Sequence, residues 1–130
     1  EHRMLLYTKT TSGVTISVQT HFLEERSNIL QNSFFFVYFI GITNHGDEPV
    51  TLLRRHWFIH DSTAVDYEVE GEGVVGEQPR IAPGASYRYN SFCVLKSFEG
   101  SMEGTYTMQY EDGRTFDVEI PLFHLRARLN

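Results

Sequence analysis

The sequence contains a single cysteine, Cys93, so no disulfide can form within the chain. That scarcity fits a reducing compartment, and we expect a cytoplasmic protein. Basic residues are also scarce: 11 Lys and Arg stand against 17 Asp and Glu, which gives a formal net charge of -6. Because nucleic-acid binding normally requires a basic surface, this charge argues against a DNA or RNA partner.

A membrane segment and amphipathic helices are missing from the pattern as well. The first ten residues hold an apolar run of only four, from Met4 to Tyr7. Such a run is too short for a signal-peptide core or a membrane span, so we expect no membrane partner. No segment repeats its apolar residues at the helical period. They recur instead in short alternating or continuous runs between turn signals, which is typical of strands.

Three such runs show the pattern clearly. In residues 14–20, Val14, Ile16 and Val18 alternate with polar residues, which predicts a half-buried strand. Residues 33–43 are apolar on both faces, which predicts a central strand of a sheet. Residues 51–61 alternate again and should send one set of side chains to the core, namely Leu53, Trp57 and Ile59.

The pair Asp112-Gly113 lies between two further alternating runs. An Asp-Gly pair in that position predicts a tight type I′ hairpin. The hairpin would turn two sets of side chains toward one core: Tyr106, Met108 and Tyr110 with Phe116, Val118 and Ile120.

The whole pattern predicts one all-β domain over residues 1–130. About seven to nine short strands, with turn signals every ten residues or so, are typical of an antiparallel β-sandwich of the immunoglobulin or fibronectin type III kind. The aromatic share of 14% also favours strands.

Three glycines, Gly71, Gly73 and Gly76, stand in the GxGxxG spacing of a dinucleotide-binding loop. That loop works only where the glycines end a strand and open a helix, whose free N–H groups hold the pyrophosphate. Here Pro79 and Pro83 follow closely and leave no room for a helix. The helix that a dinucleotide-binding loop requires is therefore missing.

The charge around these glycines points the same way. Residues 66–77 contain no base and five acids: Asp66, Glu68, Glu70, Glu72 and Glu77. Their repulsion of a bound pyrophosphate would cost about 1–2 kcal/mol, against one nearby base, Arg80. We expect the glycines to bend the chain between the sheets in a partner-facing loop. Binding of a nucleotide or pyrophosphate by the loop amides is the alternative.

Neither of two apparent ligand sets predicts a metal centre. Asp66, Glu68 and Glu70 share one face of a strand, but neighbours on that face are about 6.6 Å apart, which strains a common cation site. A solvated acidic face is the first interpretation, and a divalent-cation sensor is a second alternative. His56 and His60 share a face about 13 Å apart, too far to bind one zinc. We predict no metal and no cofactor.

Catalytic patterns are also weak. GSMEG (100–104) places its serine second, not in the centre as a nucleophile elbow requires. Cys93 lies between Phe92 and Val94, which predicts a packed and inert thiol, and Trp57 is expected in the core. We predict no catalytic residue.

Five segments resemble one known family in this order and spacing: RHWFIHD (55–61), VEGEGVVGEQP (69–79), IAPGASYRYNS (81–91), SMEGTY (101–106) and FDVEIPLF (116–123). The family is that of the bacterial ApaG proteins. Its domain also occurs beside an F-box in eukaryotic ubiquitin-ligase adaptors and in a polymerase-delta-interacting protein. By position, the chain matches the family's GxGxxG loop with Gly71, Gly73 and Gly76, and its R-H-W motif with Arg55, His56 and Trp57.

The resemblance implies a fibronectin-III-like sandwich and, through the F-box relatives, protein recognition. It also implies an association with cobalt and magnesium resistance, and a genetic neighbourhood that contains a diadenosine-tetraphosphate hydrolase. A domain with no membrane span cannot itself be a channel or pump, so any such link would be indirect.

We therefore expect a non-catalytic binding module for an unidentified protein partner, with homodimerisation left open. The candidate partner-binding residues are Gly71, Glu72, Gly73, Gly76, Glu77 and Arg80.

Overall fold

The computed structural model describes residues 5–128; Met4, from the short N-terminal apolar run, lies outside that range. Within it the chain forms nine strands: β1 (Tyr7–Thr11), β2 (Val14–Phe22), β3 (Phe34–Asn44), β4 (Val50–Asp61), β5 (Tyr67–Glu72), β6 (Arg80–Ile81), β7 (Ser86–Leu95), β8 (Glu99–Tyr110) and β9 (Thr115–Arg126). Two short 3-10 turns, Glu24–Arg26 and Ile29–Gln31, connect β2 to β3.

The strands form two sheets. The first has the order β1-β2-β3-β7, and the second has the order β5-β4-β8-β9 with β6 added beside β4. Every pairing between strands is antiparallel. This arrangement confirms the predicted β-sandwich of immunoglobulin or fibronectin type III kind. Residues 33–43 correspond to β3, which lies between β2 and β7 and is therefore a central strand, as predicted.

The core lies between the two sheets and follows the two-residue period of the strands. Val14, Ile16 and Val18 of β2 are at most 1% exposed, which confirms that half-buried strand. Full burial of such a side chain stabilises the fold by about 1.5–3 kcal/mol. The largest fully buried side chains come from both sheets: Tyr106, Phe36, Phe123, Ile16, Ile40, Ile42, Leu52, Leu95, Met108 and Leu125.

A β-bulge in β4 changes the predicted facing of one residue. The pairing of β4 with β8 shifts between Leu52 and Arg54, so Leu53 is an extra residue with no partner of its own. Leu52 is fully buried while Leu53 is partly exposed. The prediction that Leu53 faces the core was therefore wrong, because the bulge reverses the alternation before Trp57.

The hairpin between β8 and β9 is looser than a type I′ turn. The N–H of Gly113 donates to the carbonyl of Tyr110 at 3.0 Å, and the N–H of Tyr110 donates to the carbonyl of Arg114 at 2.9 Å. Only Gly113 of the loop has positive φ, at 95°. A three-residue loop with glycine in the left-handed position produces this pattern, so the type I′ prediction was wrong. The shared core face was predicted correctly: Tyr106, Met108, Val118 and Ile120 are buried, and Tyr110 and Phe116 pack against them.

The chain crosses from the second sheet to the first at Ala82–Ala85. β6 pairs with β4 and β7 pairs with β3, so the crossing lies between them. The N–H of Ala85 donates to the carbonyl of Ala82 at 3.0 Å, and Gly84 has a φ of +79°. The prediction that the GxGxxG glycines carry the chain between sheets was therefore wrong, since they all precede β6.

Candidate functional site

The R-H-W motif and the first glycine of the loop lie side by side on neighbouring strands. Arg55 on β4 pairs with Gly71 on β5, and Trp57 pairs with Val69. Strand alternation turns Arg55 and Trp57 toward the interior and His56 outward. Trp57 is 2% exposed, which confirms its place in the core. Its indole ring contacts three others, those of Tyr38, Tyr106 and Phe123.

Arg55 binds the backbone of the glycine segment. Its Nη1 donates to the carbonyl oxygens of Glu72 and Gly73, both at 3.0 Å. The guanidinium reaches them by crossing Gly71, where an added Cβ would lie 2.8 Å from Arg55 Nη1. A side chain at position 71 would therefore have to displace the Arg55 guanidinium. The two family motifs form one structural unit.

The other two glycines shape a tight turn beyond β5. Val74 and Glu77 pair through reciprocal backbone hydrogen bonds of 2.8 and 3.0 Å. Between them Val75 and Gly76 have φ of +48° and +80°, which is the signature of a type I′ turn. Gly73, at φ +62°, could not carry a Cβ, because it would lie 2.1 Å from the carbonyl oxygen of Glu77.

Three amide groups of the turn segment donate to backbone carbonyls of the protein. The N–H of Gly73 donates to the carbonyl of Leu53 at 2.7 Å, and those of Val74 and Glu77 donate to each other's carbonyls. The element that follows is the short strand β6, not a helix. A pyrophosphate site needs unpaired N–H groups at a helix start, and the described segment directs these three amides elsewhere.

The remaining candidate residues point away from the turn's amides. Glu77 accepts a hydrogen bond from the Tyr87 hydroxyl at 3.0 Å. Arg80 lies on β6, and its Nη2 is 2.8 Å from the Glu111 carboxylate. That hydrogen bond and the adjacent negative charge raise the pKa of Arg80 above its ordinary value. Arg80 is thus already paired with a carboxylate.

The histidines of β4 and the acids in and just before β5, which are distant in sequence, lie next to each other on the outer face of the second sheet. His56 Nε2 lies 2.8 Å from Glu68 Oε1, and His56 Nδ1 lies 3.4 Å from Glu70 Oε1. His60 Nδ1 lies 2.8 Å from Asp66 Oδ1. The backbone N–H of Asp61 and the imidazole of His60 lower the pKa of Asp66. Sequence reasoning missed these pairs, although alternating acids on a strand beside alternating histidines are a usable signal.

These pairs do not converge into a metal centre. His56 contacts Glu68 and Glu70, whereas His60 contacts Asp66. Among residues 5–128, no group of three His, Cys, Asp or Glu side chains could hold a metal ion.

A serine completes a row across three strands. Ser101 on β8 pairs with His60 on β4, whose side chain contacts Asp66 just before β5. The side-chain hydrogen bonds of the described residues include none between Ser101 and His60. Activation of a serine nucleophile by a neighbouring base acts through a contact of this kind.

Cys93 is a buried thiol, 6% exposed. Burial raises its pKa to about 11, and the Tyr67 hydroxyl lies 3.8 Å from its Sγ. Because the thiolate is the reactive form, a thiol with this pKa is protonated at neutral pH and a poor nucleophile.

In the range that the structure describes, no helix is long and apolar enough to span a bilayer.

Comparison with known proteins connects the chain to one family. The family model described as the ApaG domain matches residues 24–110. A Methylobacterium sp. (strain 4-46) protein named ApaG is 44% identical over 120 residues, which cover 92% of each chain. A Pseudomonas aeruginosa (strain LESB58) protein of the same name is 49% identical over 112 residues, covering 86% of this chain and 89% of the relative.

A solved structure is similar over most of its length. The crystal structure of an ApaA protein from Bordetella pertussis matches with a TM-score of 0.84 at 41% identity, covering 87% of this chain and 92% of that one.

Proposed function

The chain belongs to the ApaG family, as the sequence resemblance predicted, and we propose that it is a non-catalytic module that recognises another protein through β5 and the glycine turn. The observation that carries the proposal is the fixation of this segment by Arg55. One guanidinium holds the carbonyls of Glu72 and Gly73 across Gly71. A surface fixed before binding loses less conformational entropy when it binds.

The exposed side chains of the segment suit a protein partner. Tyr67 and Val69 of β5 are 42% and 38% exposed, and Val75 at the tip of the turn is 64% exposed. Glu68 and Glu70 line the opposite face of β5. A partner with basic residues opposite the acids and apolar residues opposite Tyr67 and Val69 would complement both faces.

The free edge of β5 offers backbone groups as well. β5 pairs only with β4, so its other edge has no strand beside it among the described residues. Since the N–H of Gly73 donates to Leu53, antiparallel alternation turns the N–H and C=O of Glu68 and Glu70 away from β4. An extended partner segment could therefore add a strand here.

The non-catalytic part of the proposal rests on the poor nucleophiles of the described residues. Cys93 is buried with a raised pKa, and Ser101 lacks a hydrogen bond to His60. A cytoplasmic location belongs to the same proposal, since the only cysteine is unpaired. Any link to cobalt or magnesium resistance would then act through the protein that the module binds.

The test is affinity capture from a bacterial lysate with matched charge variants. Glu70→Lys/Glu72→Lys should lose specific proteins that the wild type retains, because it reverses two charges on the proposed surface. Glu24→Lys/Glu25→Lys makes the same charge change on the turn before β3 and should retain them. If the wild type and both variants capture identical sets of proteins, β5 and the glycine turn do not bind them.

A further inference from the structure

The edge strand β7 of the first sheet has no strand on its outer side among the described residues. It is ten residues long and pairs only with β3. The N–H of Asn44 donates to the carbonyl of Ala85 at 3.0 Å, which fixes the alternation of the ladder. The backbone groups of five residues therefore face away from β3: Ser86, Arg88, Asn90, Phe92 and Val94.

β7 also lacks the features that protect an edge strand from pairing. Proteins protect free edges with charges, prolines, bulges or short length. β7 contains no proline, no acid and one base, Arg88, in an otherwise regular ladder. It is therefore a long edge open to an added strand.

The outer face beside this edge is aromatic and apolar. Phe39, Phe92 and Val94 are 44%, 47% and 44% exposed. The rings of Phe35 and Phe92 lie 5.2 Å apart, and the Arg26 guanidinium covers them at 5.0 and 5.7 Å. Large side chains rarely stay this exposed in a row unless the surface binds something.

These exposed side chains lie next to a depression of about 360 Å³ whose lining includes Phe39 and Gly41. Gly41 has no side chain to fill the depression. The Oγ of Ser17 lies 2.6 Å from the position that a Cβ of residue 41 would take. Arg88 and Asn90 line its β7 side. Arg88 is the one charged residue among the described residues that line the depression, and it lies beside polar and apolar side chains.

The charge distribution indicates what this face attracts. The chain has 17 acids, yet none lies in β1, β2, β3 or β7. β4, β5, β8 and β9 of the other sheet all carry acids. Arg26 and Arg88 belong to no ion pair of residues 5–128. The strands of the first sheet thus contain no acid, and Arg88 on β7 has no ion pair among residues 5–128.

We infer that the β7 edge binds an extended segment of another protein, in which apolar residues alternate and an acidic residue meets Arg88. Backbone pairing along β7 would hold the segment. Those side chains of the bound segment that lie on the outer face of the sheet would cover Phe92 and Val94. The carboxylate of the segment would enter the depression at Gly41. This surface belongs to the other sheet from β5 and the glycine turn, although Tyr87 and Cys93 of β7 contact Glu77 and Tyr67 of those elements.

A second copy of this chain fits the edge less well. β5 and β7 lie along the same side of the sandwich, as the 3.8 Å contact between Tyr67 and Cys93 indicates. Pairing of β7 with β7 would bring two β5 strands, each with its row of glutamates, toward one another. Like charges that face each other across strands are destabilising, so a single strand that brings no second row of glutamates is the better occupant.

The test uses a phage library of random peptides of about nine residues, which matches the length of β7 at about 3.3 Å per residue. The wild type should select peptides with alternating apolar residues and at least one Asp or Glu. Asn90→Pro removes an outward N–H at an edge position that tolerates proline, and it should weaken the selected peptides at least about tenfold. Arg88→Glu should instead select peptides with Lys or Arg.

Two controls make the outcome decisive. Phe92→Asp, at an exposed position, places an acid on the edge and should also weaken the acidic peptides, which covers the case in which Asn90→Pro does not fold. Glu70→Lys/Glu72→Lys should bind them unchanged, so failure here and failure of the β5 proposal are distinguishable.

Two results would overturn the inference. The first is a selection in which no peptide distinguishes the wild type from both edge variants, or in which Arg88→Glu selects the same acidic peptides. The second is a dimer in sedimentation equilibrium that Asn90→Pro dissociates, which would make a second copy the occupant.

Discussion

The contact between Arg55 and Gly71 predicts a specific coupling between two positions that are distant in sequence. In Gly71→Val, the new side chain takes the space in which the guanidinium lies, since a Cβ alone would be 2.8 Å from Nη1. Arg55 must then leave the carbonyls of Glu72 and Gly73, which it reaches at 3.0 Å. Loss of these charge-assisted hydrogen bonds costs about 2 kcal/mol.

A second effect opposes this loss. Valine suits a strand better than glycine, by about 1 kcal/mol. Gly71→Val alone should therefore lower the free energy of unfolding by about 1 kcal/mol. With Arg55→Ala already present, no guanidinium remains to displace, and the same change should raise it by about 1 kcal/mol. The expected coupling energy between the two positions is about 2 kcal/mol.

Urea unfolding of the wild type, the two single variants and the double variant measures this coupling directly. The urea dependence should be equal in all four proteins, because none of the changes alters the core. If the two substitutions are additive within about 0.5 kcal/mol, Arg55 does not determine the need for glycine at position 71, and the structural link between the family motifs is refuted.

The other glycines and the thiol give three further predictions. Gly73→Ala should lower the free energy of unfolding by more than about 3 kcal/mol, because its Cβ would lie 2.1 Å from the Glu77 carbonyl oxygen. Gly76→Ala should lower it by about 1 kcal/mol, because φ is +80° but nothing lies within 4 Å of the added Cβ. Equal urea midpoints for the two variants would contradict this ranking. Calorimetry with ATP, pyrophosphate and diadenosine tetraphosphate, with and without Mg²⁺, should show no binding heat at millimolar concentration, and a saturable signal lost in Gly73→Ala would contradict the account of the loop amides. The folded pKa of Cys93, about 11, lies above the ordinary 9.0, so its stabilisation is complete below about pH 9 and is lost as the pH rises to 11. Cys93→Ala should lose about 2 kcal/mol less than the wild type over that interval, and parallel pH profiles would show that thiol ionisation is not involved.

Several features of the fold followed from the sequence because they depend on local patterns. The alternation of Val14, Ile16 and Val18 predicted a buried strand face, and the continuous apolar run of residues 33–43 predicted a central strand. Both were confirmed. Leu53 was placed on the wrong face because a bulge depends on the pairing of β4 with β8, which the sequence of β4 alone does not contain.

The sequence likewise predicted some features of the candidate site and missed others. The sequence located the glycines and excluded a helix after them, and it identified Arg55, His56 and Trp57 as a family motif. It did not connect the two, because the contact of Arg55 with the carbonyls beyond Gly71 depends on strand register. The pairing of His56 with Glu68 was missed for the same reason.

What the sequence determined by itself was the choice of secondary structure, the sandwich and the family, since these depend on the period of apolar residues, on turn residues and on recurring motifs. Only the tertiary structure decided that an arginine takes the place of a side chain at Gly71, that the acids are excluded from one sheet, and that β7 is left as an open edge. The physical reason is that strand order and register bring together residues from separate parts of the chain, and their distances, shared faces and free edges exist only after that pairing.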